Sequence, residues 1–233
     1  MSEKSESKSL FENSWVVYKK IMEADFMHHK AFARYLENEL KNKSLNNSIK
    51  ILDLGCGDGS PILPIIESYP ISFYKGYDLS DFAIHLCEKN LQRLDVRYEM
   101  KIGDMISMIE KESETFDLIY SSYAIHHLSD EEKKILFQHI SQRLNPSGKF
   151  VYIDVIREQE MTIQQYRAEY VDRIMNWHIL DVSEKAKVIE HVTHYDFPAF
   201  SHDIEKWIEG ASLKIERFEK GDDVHVFYSI GKK

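Results

Sequence analysis

Ile51-Leu52-Asp53-Leu54-Gly55-Cys56-Gly57-Asp58-Gly59-Ser60 decides the fold. The apolar run Ile49 to Leu54 predicts a strand, and it breaks into a loop with glycine at every second position. Pro61 then opens an apolar segment, Ile62 to Tyr69, that reads as a helix. A strand, a glycine loop and a helix make a bed for a nucleotide-like ligand, because glycine turns the chain sharply and lets a ligand approach the backbone.

Strands and helices alternate outward from this stretch. A second strand spans Ser72 to Leu79 and a third Val96 to Ile102. The fourth is Phe116 to Ser121 and the fifth Lys149 to Ile156. A helix from Asp81 to Gln92 takes Ser80 as its N-cap, and Ser129 with Glu132 predicts a capping box for the helix before Asn145-Pro146-Ser147-Gly148. The alternation argues for a doubly wound α/β fold whose ligands sit at the carboxyl ends of the strands. Upstream, helical spacing of apolar residues over Phe11 to Asn42 predicts two helices, split near Ala24 to Phe26. Met1 to Ser9 reads as a tail, and Asn42 to Ser48 as a polar linker.

Glu158 to Tyr195 interrupts the alternation with two or three helices. Phe197-Pro198-Ala199-Phe200 ends them, and Ser201 is the expected N-cap of a helix reaching about Gly210, with Ile204, Trp207 and Ile208 on its apolar face. Leu213 to Phe218 and Val224 to Ile230 read as a hairpin across Lys220-Gly221-Asp222-Asp223. The expected organisation is one structural domain. Residues 1–48 give a tail and cap helices, 49–157 with 197–233 the core, and 158–196 a helical lid.

Polar residues fall at the predicted strand ends. Asp53 precedes the glycine turn, where a carboxylate suits an ammonium group and opposes a pyrophosphate. Ser60 stands where a dinucleotide loop carries its third glycine. Asp78 follows Gly55 by 23 residues, the place of a carboxylate that accepts ribose hydroxyls.

This set resembles the Rossmann-like (class I) S-adenosylmethionine-dependent methyltransferases of small-molecule type. The resemblance rests on four segments in order. These are the glycine loop, Gly76-Tyr77-Asp78-Leu79-Ser80, Gly103-Asp104-Met105 and Phe116-Asp117-Leu118-Ile119-Tyr120-Ser121, and they cover Ile49 to about Val155. Ile125-His126-His127-Leu128 and Leu144-Asn145-Pro146-Ser147-Gly148-Lys149-Phe150 also look like the family's segments after strand four and before strand five.

The resemblance implies a seven-stranded, mostly parallel sheet of order 3-2-1-4-5-7-6 with strand seven antiparallel, capped by the N-terminal helices and the insert. It implies S-adenosylmethionine as cofactor. Asp53 would lie near its methionyl ammonium, with Gly55 and Gly57 as the bed beneath. Asp78 and Leu79 would hold the ribose and adenine edge, and Asp104 and Met105 the adenine. Ser121 would offer its carbonyl to the ammonium, and Tyr18 would close over the cofactor.

Methyl transfer from a sulfonium is an in-line displacement that needs alignment and dryness more than chemical groups. A base is needed only where the acceptor must lose a proton, and His126 and His127 are the catalytic candidates. One of the pair is expected to pack inward and bond the backbone. His191-x-x-His194 has no evident third ligand, so no metal is expected. Tyr166, Tyr170 and Trp177 are candidate walls of an acceptor pocket, with plain core packing as the alternative.

A net charge of −9 and the absence of a basic stripe argue against nucleic acid as partner. Two cysteines supply no disulfide framework. No signal peptide and no membrane span is read, so the expected location is the cytoplasm. The expected partner is a small-molecule methyl acceptor; its identity, its reacting atom and the oligomeric state are left open. Three alternatives stay beside this reading: methylation of protein or RNA, non-catalytic binding of the cofactor, and a nicotinamide oxidoreductase.

Overall fold

The computed structural model describes residues 15–41 and 48–233. The expected tail and most of the polar linker lie outside these residues. Two helices, α1 (Trp15–Glu23) and α2 (His29–Lys41), precede the sheet. The alternating unit then runs β1 (Ile49–Leu54), α3 (Leu63–Ile66), β2 (Ile71–Asp78), α4 (Asp81–Leu91), β3 (Tyr98–Ile102), α5 (Met105–Glu110) and β4 (Phe116–Ser122). A single 3-10 turn over Ile125–His127 leads into α6 (Asp130–Arg143) and β5 (Leu144–Val155). The inserted helices are α7 (Ile163–Met175) and α8 (Val182–Tyr195). They are followed by α9 (Ser201–Gly210), β6 (Leu213–Lys220) and β7 (His225–Lys232).

The seven strands form one sheet in the order β3-β2-β1-β4-β5-β7-β6. The first five are parallel, and β7 runs antiparallel between β5 and β6. Successive residues of a strand face opposite sides, and that alternation builds two cores. Ile51, Leu118, Tyr120 and Val151 pack with residues of α1 to α4, α7 and α8. Leu52, Ile119, Phe150 and Tyr152 pack with residues of α5, α6 and α9. The insert therefore shares a face with the N-terminal helices and closes over the same strand ends.

Several local expectations meet corrections. The helix after Pro61 is one short turn, because the chain from Gly59 to Ser68 is a run of tight backbone bonds that stops at Pro70. Ser201 is not the N-cap of α9. Phe200 takes that place without a side-chain bond, and the Ser201 hydroxyl is 3.0 Å from the Tyr228 hydroxyl and 3.4 Å from Glu205. The chain reaches β5 earlier than expected, pairing Leu144 with Phe116 before the regular ladder begins at Lys149. Ser80 and the Ser129/Glu132 box cap α4 and α6 as the sequence predicts.

Candidate active site

The glycine loop leaves β1 through three left-handed residues, Gly55 at φ 72°, Gly57 at 54° and Gly59 at 76°. Gly55 also has no room for a side chain: a Cβ there would lie 2.3 Å from that of Ala124. Glycine is required on both counts. The N–H groups of Gly55 and Cys56 donate to the Tyr77 carbonyl, which locks the loop against β2.

Above the loop lies a cavity of about 410 Å³. Its walls come from the carboxyl ends of β1 to β4, with Trp15 and Tyr18 of α1 on one side and His191, Tyr195 and Phe197 on the other. Asp53, Gly55, Gly57, Asp78, Leu79, Asp104, Met105, Tyr18 and His127 all line it. Those predicted residues are brought together at one place. Ser121 and His126 are not among its walls. Ser121 is fully buried, and its hydroxyl donates to the Leu54 carbonyl, tying β4 to β1; Tyr120 and Ser122 line the cavity beside it.

Asp53 is 2% exposed. The Tyr74 hydroxyl donates to its Oδ2 at 2.7 Å, while Oδ1 has no hydrogen-bond partner. Burial pushes its carboxyl up to about 7, against the Tyr74 bond that lowers it, with Asp78 raising it further. Asp78 is held firmly: the Gly57 N–H donates to Oδ2 and the Ser80 N–H to Oδ1, each at 2.8 Å. Asp104 accepts from the Ser107 N–H at 3.1 Å and so caps α5 while facing the cavity.

A second, smaller cavity of about 100 Å³ adjoins the first and shares Tyr18, Tyr123, His127 and His191 with it. Tyr170 and Trp177 of the insert wall it, whereas Tyr166 is packed in the core. Tyr123 stands between the cavities at φ 53°, a strained backbone for a bulky residue, and its hydroxyl donates to the Met27 carbonyl.

The histidine pair divides its work. His126 packs inward as expected, but its partners are carboxylates: Nδ1 lies 2.5 Å from Asp154 Oδ1, and its N–H donates to Asp154 Oδ2 at 2.9 Å. Burial opposes a charge on this ring, yet Asp154 and Asp196 outweigh it and raise His126 to about 10. His127 is the one that bonds the backbone, Nδ1 donating to the Tyr195 carbonyl at 3.0 Å. Burial, with His126 and His191 nearby, pushes His127 well below the usual histidine range.

His191 does not pair with His194. His194 sits one turn on with Nδ1 2.9 Å from the Glu190 carbonyl. Instead His191 meets His126, His127 and Asp196. The sequence reading missed Trp15 and Asp154 as members of the site, and it gave Asp196 of the insert no role there. Asp154 had a signal: a lone carboxylate inside the apolar run Phe150 to Val155 of a central strand must find a buried partner.

Comparison with known proteins agrees with this geometry. The family model described as a methyltransferase domain matches residues 51–148. Phosphoethanolamine N-methyltransferase 1 of Triticum aestivum is 29% identical over 150 residues, 64% of this chain and 29% of that protein. The phosphoethanolamine N-methyltransferase of Plasmodium falciparum is 28% identical over 150 residues, covering 64% of this chain and 55% of its own length. The chain thus spans little more than half, or less, of these curated relatives. Among solved structures, the magnesium protoporphyrin IX methyltransferase of Synechocystis, with S-adenosylhomocysteine bound, superposes with a TM-score of 0.70 at 12% identity and covers 100% of both chains. The mitomycin 7-O-methyltransferase gives 0.58 at 15% identity, over 80% of this chain and 49% of that one.

Proposed function

We propose, from the membership of this chain in the Rossmann-like (class I) S-adenosylmethionine-dependent methyltransferases, that it transfers a methyl group from S-adenosylmethionine to a small-molecule acceptor. The cofactor would fill the larger cavity and the acceptor the smaller one. Asp78, pre-set by two backbone N–H groups, would accept the ribose hydroxyls. Met105 and Asp104 would face the adenine, with Leu79 at its edge, and Trp15 and Tyr18 would close the cavity from α1.

Asp53 carries this reading. A buried carboxylate whose Oδ1 lacks a partner, at the wall of the cavity, is an incomplete ion pair. A methionyl ammonium would complete it and pull its proton off. A pyrophosphate would place negative charge beside it, which argues against a nicotinamide dinucleotide.

With the sulfonium held there, the chain's own contribution is alignment and exclusion of water. Tyr123, His127 and His191 stand where the two cavities meet. His127, kept neutral by its surroundings, has Nδ1 committed to Tyr195 and so keeps Nε2 as its lone-pair atom, suited to accept a hydrogen bond from the acceptor and orient it rather than to hold its proton. The second cavity, of about 100 Å³ and walled by residues of the insert and α1, favours a small acceptor over a macromolecule.

A transfer screen tests this reading. Small amines, carboxylates, thiols and phenols are offered with S-adenosylmethionine, and S-adenosylhomocysteine is followed. Phosphoethanolamine belongs in the screen because two relatives are named for it. Release of S-adenosylhomocysteine with a small acceptor is the expected result. Release only with protein or RNA would overturn the small-molecule reading, and tight binding without any release would favour a non-catalytic binder.

A further inference from the structure

We propose that His126, His191 and Asp196 form a binding site for a divalent transition-metal ion of the zinc type, with His127 beside it. Asp196 is 4% exposed, and its Oδ1 has no hydrogen-bond partner. Three imidazole nitrogens surround that oxygen: His126 Nε2 at 3.5 Å, His191 Nε2 at 3.6 Å and His127 Nδ1 at 3.7 Å. One donor atom from each of the four residues lies within 4.8 Å of every other.

These separations are too long for good hydrogen bonds. They suit ligands around an ion. Donors about 2.05 Å from a tetrahedral ion stand about 3.3 Å apart, against about 3.0 Å in an octahedron of similar radius. The separations from Asp196 Oδ1 to the other two ligands, 3.5 and 3.6 Å, are nearer the tetrahedral figure, and an imidazole and carboxylate donor set is that of zinc.

The outer contacts are those of a metal centre. A ligating histidine donates its second ring N–H to a carboxylate or a carbonyl, which fixes the tautomer. His126 does so to Asp154, which is fully buried on β5. The His127 atom that faces Asp196 is Nδ1, and Nδ1 is already committed to the Tyr195 carbonyl, so His127 is placed as neighbour and the other three as ligands. Three protein ligands with one position open is the arrangement of a catalytic rather than a structural zinc site.

All four residues line the smaller cavity, and His127 and His191 reach the larger one as well. The open position would therefore face the acceptor and hold it by its heteroatom. That role rests on the methyltransferase reading; binding of the ion does not. The sequence alone hides the site, because His126 and His191 are 65 residues apart and meet only when the insert folds back over β4.

The test uses the full chain, stripped with a chelator and titrated with zinc chloride by calorimetry. One zinc per chain is expected. His191→Gln and Asp196→Asn should abolish that binding, and Asp154→Asn, which removes the carboxylate behind the His126 ring but no ligand, should weaken it about 10- to 100-fold. Circular dichroism checks that each variant folds. X-ray absorption at the zinc edge of the unaltered protein decides independently of any variant: nitrogen and oxygen neighbours are expected. No zinc binding, sulfur neighbours from Cys56 or Cys87, or unchanged affinity in both ligand variants would overturn the site. S-adenosylmethionine binding, measured in parallel, separates this failure from that of the methyl-transfer reading.

Discussion

Asp53 sits in conflict with its surroundings, and the conflict is measurable. Its folded carboxyl lies at about 7, above the ordinary 3.8, because burial disfavours the charge. The folded chain therefore holds that proton more tightly than the unfolded one. The stabilisation is complete at low pH and is lost as pH rises through about 7. Asp53→Asn should raise the melting temperature of the ligand-free protein at pH 8 and change it little at pH 4, while weakening S-adenosylmethionine at least tenfold. Thermal melts at the two pH values check the first half and calorimetry the second. Asp78→Ala removes the acceptor of two backbone N–H groups and, on the proposed function, of two ribose hydroxyls. It should weaken the cofactor by more than about 1.4 kcal/mol, a factor of ten, and unchanged affinity would refute the ribose assignment. Both aspartates were legible because each stands at the end of an expected strand, two residues from a glycine. Asp196 and Trp15 were not, because their partners lie far along the chain and only the fold supplies them.

At the scale of elements, β1 and its glycine loop set the cavity floor, and their fit depends on β4 as much as on the loop. Gly55→Ala would meet Ala124 and demand a left-handed backbone of a residue with a Cβ. We expect a loss of at least about 2 kcal/mol by denaturant titration, from strain and clash together. A fully stable Gly55→Ala protein would mean that the turn is looser than described. The order of elements was legible because binary patterning and capping residues agree locally, as in Ser129 with Glu132. Ser201 misled for the same kind of reason. A serine before a helix is a good local cap, but here Tyr228 lies 3.0 Å from its hydroxyl, and tertiary contact overrides local preference.

Over the whole molecule, charge is buried on both sides of the active cleft. Away from it, Lys75 on β2 is 2% exposed and is bonded to Glu112 at 2.9 Å and Glu114 at 2.8 Å. Burial alone would raise the Glu112 carboxyl, but Tyr77 and Lys75 outweigh it and hold it down at about 2. Lys75→Met would strand that carboxylate and should destabilise the fold by about 3 kcal/mol at neutral pH. The loss should shrink in acid, where Glu112 of the variant can take up a proton, and melts across pH check this. Neither partner could be paired from sequence, since 37 residues separate them. Among the described residues no helix is long and apolar enough to cross a membrane.

The central claim is that the larger cavity takes an adenosyl group with a cationic methionyl tail and no phosphate. Calorimetric titration of the full chain with S-adenosylmethionine and, separately, with NAD tests it most directly. One S-adenosylmethionine site per chain is predicted, tighter at pH 8 than at pH 6 as Asp53 gives up its proton, with no heat from NAD. Binding of NAD alone, or no binding of S-adenosylmethionine at either pH, would contradict the account.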